Sequence, residues 1–184
     1  LENRAILSAS LWHREAEYEL AARNAQVELR PSERQGLELR FLYQPTERIY
    51  VDFSAVMSKA RFTDDDPRGQ HIPGSTEQIA TFALGYLGDR YYINLDALYL
   101  GPSPFLEDNS AETEEVTSVD LYLGGNITKK LTIELQWLNI ADNDRNNPDV
   151  SFIDKEAAAE AFVAELYYNP IPARTLRVYL RYYL

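Results

Sequence analysis

Alternation of apolar and polar side chains, repeated along most of the chain, limits what it can fold into more than any other feature. From Leu176 to Leu184, the residues Leu176, Val178, Leu180, Tyr182 and Leu184 fall on one face, and Arg177, Tyr179, Arg181 and Tyr183 on the other. Period two belongs to a β-strand with one apolar side. The same rhythm runs through Ala5-Leu7-Ala9-Leu11, Leu37-Leu39-Phe41-Tyr43, Ile49-Val51-Phe53-Ala55-Met57, Ala80-Phe82-Leu84-Tyr86, Tyr91-Ile93-Leu95-Ala97-Tyr99, Val119-Leu121-Leu123 and Leu131-Ile133-Leu135-Trp137. Leu42 and Val56 are apolar residues on otherwise polar faces. Eight strands are predicted, each of roughly ten residues, the length a tilted strand needs to cross a bilayer. Their connections alternate in length. Short turns fall at Pro45-Thr46-Glu47-Arg48, Gly88-Asp89-Arg90 and Thr128-Lys129-Lys130, and long polar stretches occupy 21–33, 61–77, 101–115 and 140–174.

Two architectures satisfy this pattern: a transmembrane barrel with its apolar faces outward, and a soluble up-and-down barrel with them inward. The elaboration of a single rim favours the membrane, as do aromatic residues near strand ends (Trp12, Tyr43, Tyr86, Tyr91, Tyr99, Trp137, Tyr182), where interfacial girdles sit. Mean hydropathy of −0.39 does not decide, because a barrel strand turns only alternate residues to lipid. No apolar run approaches the roughly 18–20 residues of a membrane-spanning helix. A net charge of −11 would repel a phosphate backbone, so no nucleic-acid partner is expected. The absence of cysteine excludes disulfides, thiolate metal sites and a thiol nucleophile. The opening Leu1-Glu2-Asn3-Arg4 has neither an initiator Met nor an apolar signal core, which suggests a piece of a longer protein.

Candidate chemistry is sparse. His13 and His71 are far apart, and no motif makes a nucleophile of Ser75 beside His71, so both histidines read as polar rim residues and no catalytic site is expected. Asp142-Asn143-Asp144-Arg145-Asn146 resembles the start of a calcium loop, but Asn147 and Ile153 stand where such a loop needs Gly and Glu; a solvated turn is the preferred reading, with no metal. Asp64-Asp65-Asp66 and Glu112-Thr113-Glu114-Glu115 read as charged loop tips, and residues 154–166 as a short helix in the last long loop. Glu38, Arg40, Asp52, Asn94, Asp96, Asp120, Glu134, Gln136, Arg177 and Arg181 would face the interior, as a hydrated network or against a plug or solute. No cofactor is implied.

Several strings, in order, resemble those of TonB-dependent outer-membrane receptors. Arg34-Gln35-Gly36-Leu37-Glu38-Leu39 is similar to the family's R-x-G-V/L-E-L/A strand start, and Tyr43-Gln44-Pro45-Thr46 to the Y-x-P turn after it. Ala60-Arg61-Phe62-Thr63-Asp64 and Ile72-Pro73-Gly74 resemble its A-R-F-x-D and I/V-P-G loop strings. Tyr99 to Pro104 with Glu107-Asp108-Asn109-Ser110 resembles a Y-x-G-x-R-P…E-D-N-S loop, and Trp137 to Asp142 a V-x-N-L-F-D strand end. Leu184 stands where the family has an aromatic residue, and Ile140-Ala141 where it has Leu-Phe, which bears on assembly. The resemblance implies an all-β fold, an antiparallel transmembrane β-barrel segment of about eight up-and-down strands with short periplasmic turns and long extracellular loops. Residues 1–184 would form a single β-barrel domain, the C-terminal part of a larger barrel. It further implies a bacterial outer-membrane location and uptake of a scarce small-molecule solute such as a siderophore-iron complex. Implied partners are outer-membrane lipid, the barrel-assembly machinery, and a plug domain and TonB reached through N-terminal sequence that these residues do not contain. Ligand contacts would come from 61–77, 101–115 or 140–174. Two alternatives remain: a self-contained eight-stranded outer-membrane barrel with a structural or adhesive role, and a soluble ligand-binding β-barrel.

Overall fold

A computed structural model describes residues 4–23, 26–143, 146–147, 169–170 and 173–183. The strands are β1 (Ala5–Arg23), β2 (Gln26–Tyr43), β3 (Ile49–Phe62), β4 (Gln78–Leu87), β5 (Tyr91–Leu100), β6 (Val116–Asn126), β7 (Leu131–Leu138), β8 (Asn146–Asn147), β9 (Asn169–Pro170) and β10 (Thr175–Tyr182). Eight of them form one antiparallel up-and-down sheet in the order β1-β2-β3-β4-β5-β6-β7-β10, while β8 and β9 pair as a two-residue ladder. No helix occurs among the described residues. The helix expected over 154–166 lies outside them.

Register carries each strand's alternation across the sheet. Tyr43, Val51, Leu84, Leu95, Leu121, Trp137 and Leu176 pair in succession, as do Leu7, Phe41, Phe53, Phe82, Ala97 and Val119. On the opposite face a parallel row runs Tyr50, Gly85, Asn94, Tyr122, Gln136 and Arg177. A one-residue slip in any ladder would break both rows, so the two-sided pattern holds every strand in place. The apolar face is uncovered: Leu11 is 82 % exposed and Leu180 71 %. Such a face costs about 25 cal/mol per Å² in water and nothing comparable against acyl chains. A soluble barrel would have buried these residues. The buried apolar side chains are instead Ala21, Ala60, Phe62, Ile72, Phe105 and Val116, at the long-loop end.

Among the described residues no ladder joins β1 to β10, and each of these outer strands has one edge without a strand partner. The self-contained eight-stranded barrel needs that ladder. At the opposite rim, the turns are tight. Thr46 Oγ1 accepts from the amides of Arg48 (3.2 Å) and Ile49 (3.1 Å), and Thr128 Oγ1 does the same for Lys130 (3.2 Å) and Leu131 (3.0 Å). A hydroxyl that satisfies two turn amides explains Thr at the same place in both turns.

Two expectations need correction. Residues 21–33, expected as a long polar loop, are mostly strand: the β1–β2 ladder continues to Arg23 opposite Gln26, with one irregularity between Ala16 and Glu19. Beyond the membrane both faces of a strand can be wet, so apolar alternation weakens although the ladder persists. Trp12, expected in an aromatic girdle, lies on the polar face opposite Gly36, where its ring takes the space of the missing side chain; a Cβ on Gly36 would fall 2.6 Å from Trp12 Cζ2. Tyr50 covers Gly85 and Tyr92 covers Gly124 in the same way. Tyr43, Tyr86, Tyr91, Tyr99, Trp137 and Tyr182 all share the apolar face.

Candidate functional site

The built region of the molecule is a clasp at the long-loop end, where β2, the 63–77 loop and the 101–115 loop meet. Arg30 on β2 is its centre and is 3 % exposed. Its Nε donates to Asp64 Oδ2 (2.9 Å) and its Nη2 to Asp64 Oδ1 (2.6 Å), a two-pronged contact matching the planar guanidinium to the carboxylate. Nη2 also donates to the Gly69 carbonyl (3.1 Å), Nη1 lies 2.9 Å from Glu107 Oε2, and the guanidinium carbon sits 4.0 Å above the Phe62 ring centroid. Phe62 is buried to 1 % exposure. One cation thus holds two loops to one strand.

Arg68 repeats the arrangement one step outward. It pairs with Asp66, with Glu28 on β2 (2.8 Å) and, at 3.7 Å, with Glu107. The backbone is fitted equally closely: His71 N donates to Glu107 O (2.9 Å) and Gly74 N to Pro104 O (2.8 Å). Gly69 has φ 117°, and a Cβ there would lie 2.1 Å from Glu107 O, so glycine is required for both reasons. Ser103 N donates to the buried Thr113 Oγ1 (2.8 Å) and Thr76 bonds Ser103 Oγ (2.6 Å), joining the loops a second time. The hydrogen bond from Arg30 holds the Asp64 carboxyl below the ordinary range, and the bond from Arg68 does the same for Asp66. Both guanidiniums are correspondingly pushed up, Arg30 chiefly by Asp64 and Arg68 chiefly by Asp66. Burial raises the Glu19 carboxyl, but bonds from Arg34 and Ser32 outweigh it and the net direction is down.

These contacts revise the reading of Asp64-Asp65-Asp66 as a charged tip: Asp64 and Asp66 are half-buried and pair with arginines, and Asp65 alone of the three is exposed. Glu112, Glu114 and Glu115 are exposed around the buried Thr113. Ser75 Oγ donates to the Ile72 carbonyl (2.6 Å), so its hydroxyl proton is committed locally. His13 contacts Glu15 at 3.2 Å on the exposed surface. Asp142, the first residue of the segment read as a solvated turn, takes a left-handed φ of 53° and pairs with Arg174 (3.0 Å), and Asn139 just before that segment has φ 50°; Asp144 and Arg145 lie outside the described residues. Among the described residues no group of three His, Cys, Asp or Glu side chains could hold a metal ion.

All ten residues expected in the interior share the polar face. They form short networks: Tyr50 donates to Asn94 Oδ1 (2.8 Å), Asn94 Nδ2 to Asp96 (2.7 Å), and Arg40 pairs with Asp52 (2.9 Å). Arg30 was missed by sequence reasoning because it lies in a stretch read as loop. Continued alternation at Val27 and Leu29 was the available signal.

No protein-family model and no curated protein matches the sequence. Among solved structures, the ferric yersiniabactin uptake receptor FyuA of Yersinia pestis superposes with a TM-score of 0.78 over 97 % of this chain at 16 % identity. The chain has the fold of part of an outer-membrane β-barrel. The ferric-catecholate import receptor Fiu of E. coli gives a TM-score of 0.70 over 98 % of the chain at 20 % identity, and the copper transporter OprC 0.75 over 99 % at 16 %. The chain spans only 25 to 29 % of the length of these receptor-barrel proteins. Eight neighbouring strands of a wider wall would leave two free edges, as found here.

Proposed function

We propose that this chain is a stretch of eight consecutive strands from a TonB-dependent outer-membrane receptor, whose whole barrel takes up a scarce solute such as an iron chelate. The observation that carries this reading is the open sheet with an unbroken apolar face and, among the described residues, two edges without a strand partner. In hydrocarbon every backbone polar group must be paired, so such a sheet belongs to a larger closed wall. Its similarity over almost the whole chain to uptake receptors for ferric yersiniabactin and ferric catecholate supports the direction of transport and the class of solute. On this reading the polar face meets a plug, the clasp sets the shape of the extracellular mouth, and energy arrives through TonB. The chain itself contributes wall and loops, and no chemical step.

Accumulation of labelled ferric and cupric chelates in cells that do or do not make the full receptor tests the proposal. Receptor-dependent accumulation of at least one chelate, abolished when the proton-motive force is collapsed, is the expected result. Equal accumulation with and without the receptor across the panel would overturn it.

A further inference from the structure

Charge is distributed unevenly along the axis of the sheet. The chain carries a net −11, yet among the described residues the short-turn rim holds Arg4, Arg48, Arg90, Lys129 and Lys130 against Glu47 and Asp89. Arg48 is occupied by Asp89 at 2.8 Å. Arg90, Lys129 and Lys130 are exposed and have no carboxylate partner among the described residues. They also lie side by side: Asn126 N donates to Arg90 O (2.7 Å) and Tyr183 N to Lys130 O (2.8 Å), which brings the β4–β5 turn, the β6–β7 turn and the end of β10 together.

A second feature shares this rim. Tyr86 and Tyr91 stack with ring centroids 5.5 Å apart on the apolar face, and Tyr182 and Ile127 stand exposed nearby. Tyrosines on a lipid-facing surface settle at the level of the headgroups. Cations one turn beyond them are at the depth of the phosphates, and their apolar stems can run along the belt while the charge stays in water. An acidic chain that keeps three uncompensated cations at this height is complementary to an anionic bilayer surface.

We propose that the short-turn rim is a docking surface for anionic phospholipid headgroups of the adjoining leaflet, contacted by Arg90, Lys129 and Lys130. The inference rests on the membrane-spanning reading and adds a lipid preference that spanning alone does not require. The test uses the full-length receptor in nanodiscs of phosphatidylethanolamine with phosphatidylglycerol, with co-purifying lipid counted by native mass spectrometry after release into detergent. The same measurement is made on the triple variant Arg90→Gln, Lys129→Gln, Lys130→Gln, and on wild-type receptor in excess inorganic phosphate. Phosphatidylglycerol should be retained over phosphatidylethanolamine by wild type, and the triple variant should lose about fivefold or more of that preference, the factor equivalent to the ~1 kcal/mol that a single surface cation gains. Equal retention ratios in wild type and variant overturn the inference, and so does complete loss of retained lipid to inorganic phosphate, which would mark a free-anion site. Circular dichroism of the nanodiscs separates the two levels. A receptor that inserts with β-structure but shows no preference refutes only the lipid surface, whereas one that fails to insert refutes the spanning reading as well.

Discussion

Arg30 concentrates several interactions in one buried side chain. Removing it strips Asp64 and Glu107 of the guanidinium they share beside the buried Phe62 ring and leaves Glu107 with Arg68 at 3.7 Å. Breaking a buried pair from one side costs about 3–5 kcal/mol, and the partial exposure of Asp64 places Arg30→Ala at or below the lower end of that range. The variant is expected to admit protease into 63–77 and 101–115 while the strands stay resistant, read by limited digestion of the receptor in detergent. Gly69→Ala should open the same loops, because its Cβ has no room beside Glu107 O and its φ favours glycine. Acid should act there too. Asp64 and Asp66 have depressed pKa values in the fold, so their pairing is fully present above the ordinary carboxylate pKa near ~4 and is lost as pH falls through the lower folded values. Hydrogen exchange of the 63–77 amides should therefore lose protection, relative to the intrinsic rate at each pH, as acidification proceeds below about pH 4. Unchanged protection down to full protonation would contradict the clasp.

At the scale of the element, each strand tells its two faces apart. Val178 and Tyr179 are neighbours on β10 with opposite orientation, paired with Leu135 and Glu134. Val178→Arg should cost ~2–4 kcal/mol near the bilayer centre, whereas Tyr179→Arg should cost little, as measured by denaturant unfolding in lipid. Gly85→Ala should displace the Tyr50 ring, 2.0 Å from the added carbon, and break the bond to Asn94. The strands, their faces and the short turns were legible in the sequence, because period two survives wherever one side meets lipid. The clasp was not. Arg30 and Asp64 are 34 residues apart, and each looks like an ordinary charged surface residue until the loops fold inward. The strings Ala60 to Asp64, Ile72 to Gly74 and Glu107 to Ser110 were visible as separate resemblances, and the fold brings them into one packed unit. The upper halves of β1 and β2 were hidden for the opposite reason, since strands wet on both sides lose the apolar rhythm that identifies them.

For the whole molecule, the decisive asymmetry lies between the two faces of one sheet. The polar face has short side-chain networks that suit water or an inserted domain, and the apolar face has rows of Leu, Val and Phe with nothing over them. With both edges open, the 184-residue chain produced alone should refold into mixed oligomers, read by size exclusion in detergent; a uniform monomer would mean that β1 and β10 can close on each other. Within the full receptor the lipid-facing side of the sheet can be read directly on β5. Spin labels are placed singly at Asn94 and at Leu95, adjacent residues on opposite faces of β5, and the receptor is reconstituted in lipid vesicles. The label at Leu95 should collide with oxygen dissolved in the bilayer while the label at Asn94 is shielded from it. Oxygen contact at Asn94 with shielding at Leu95 would contradict that facing.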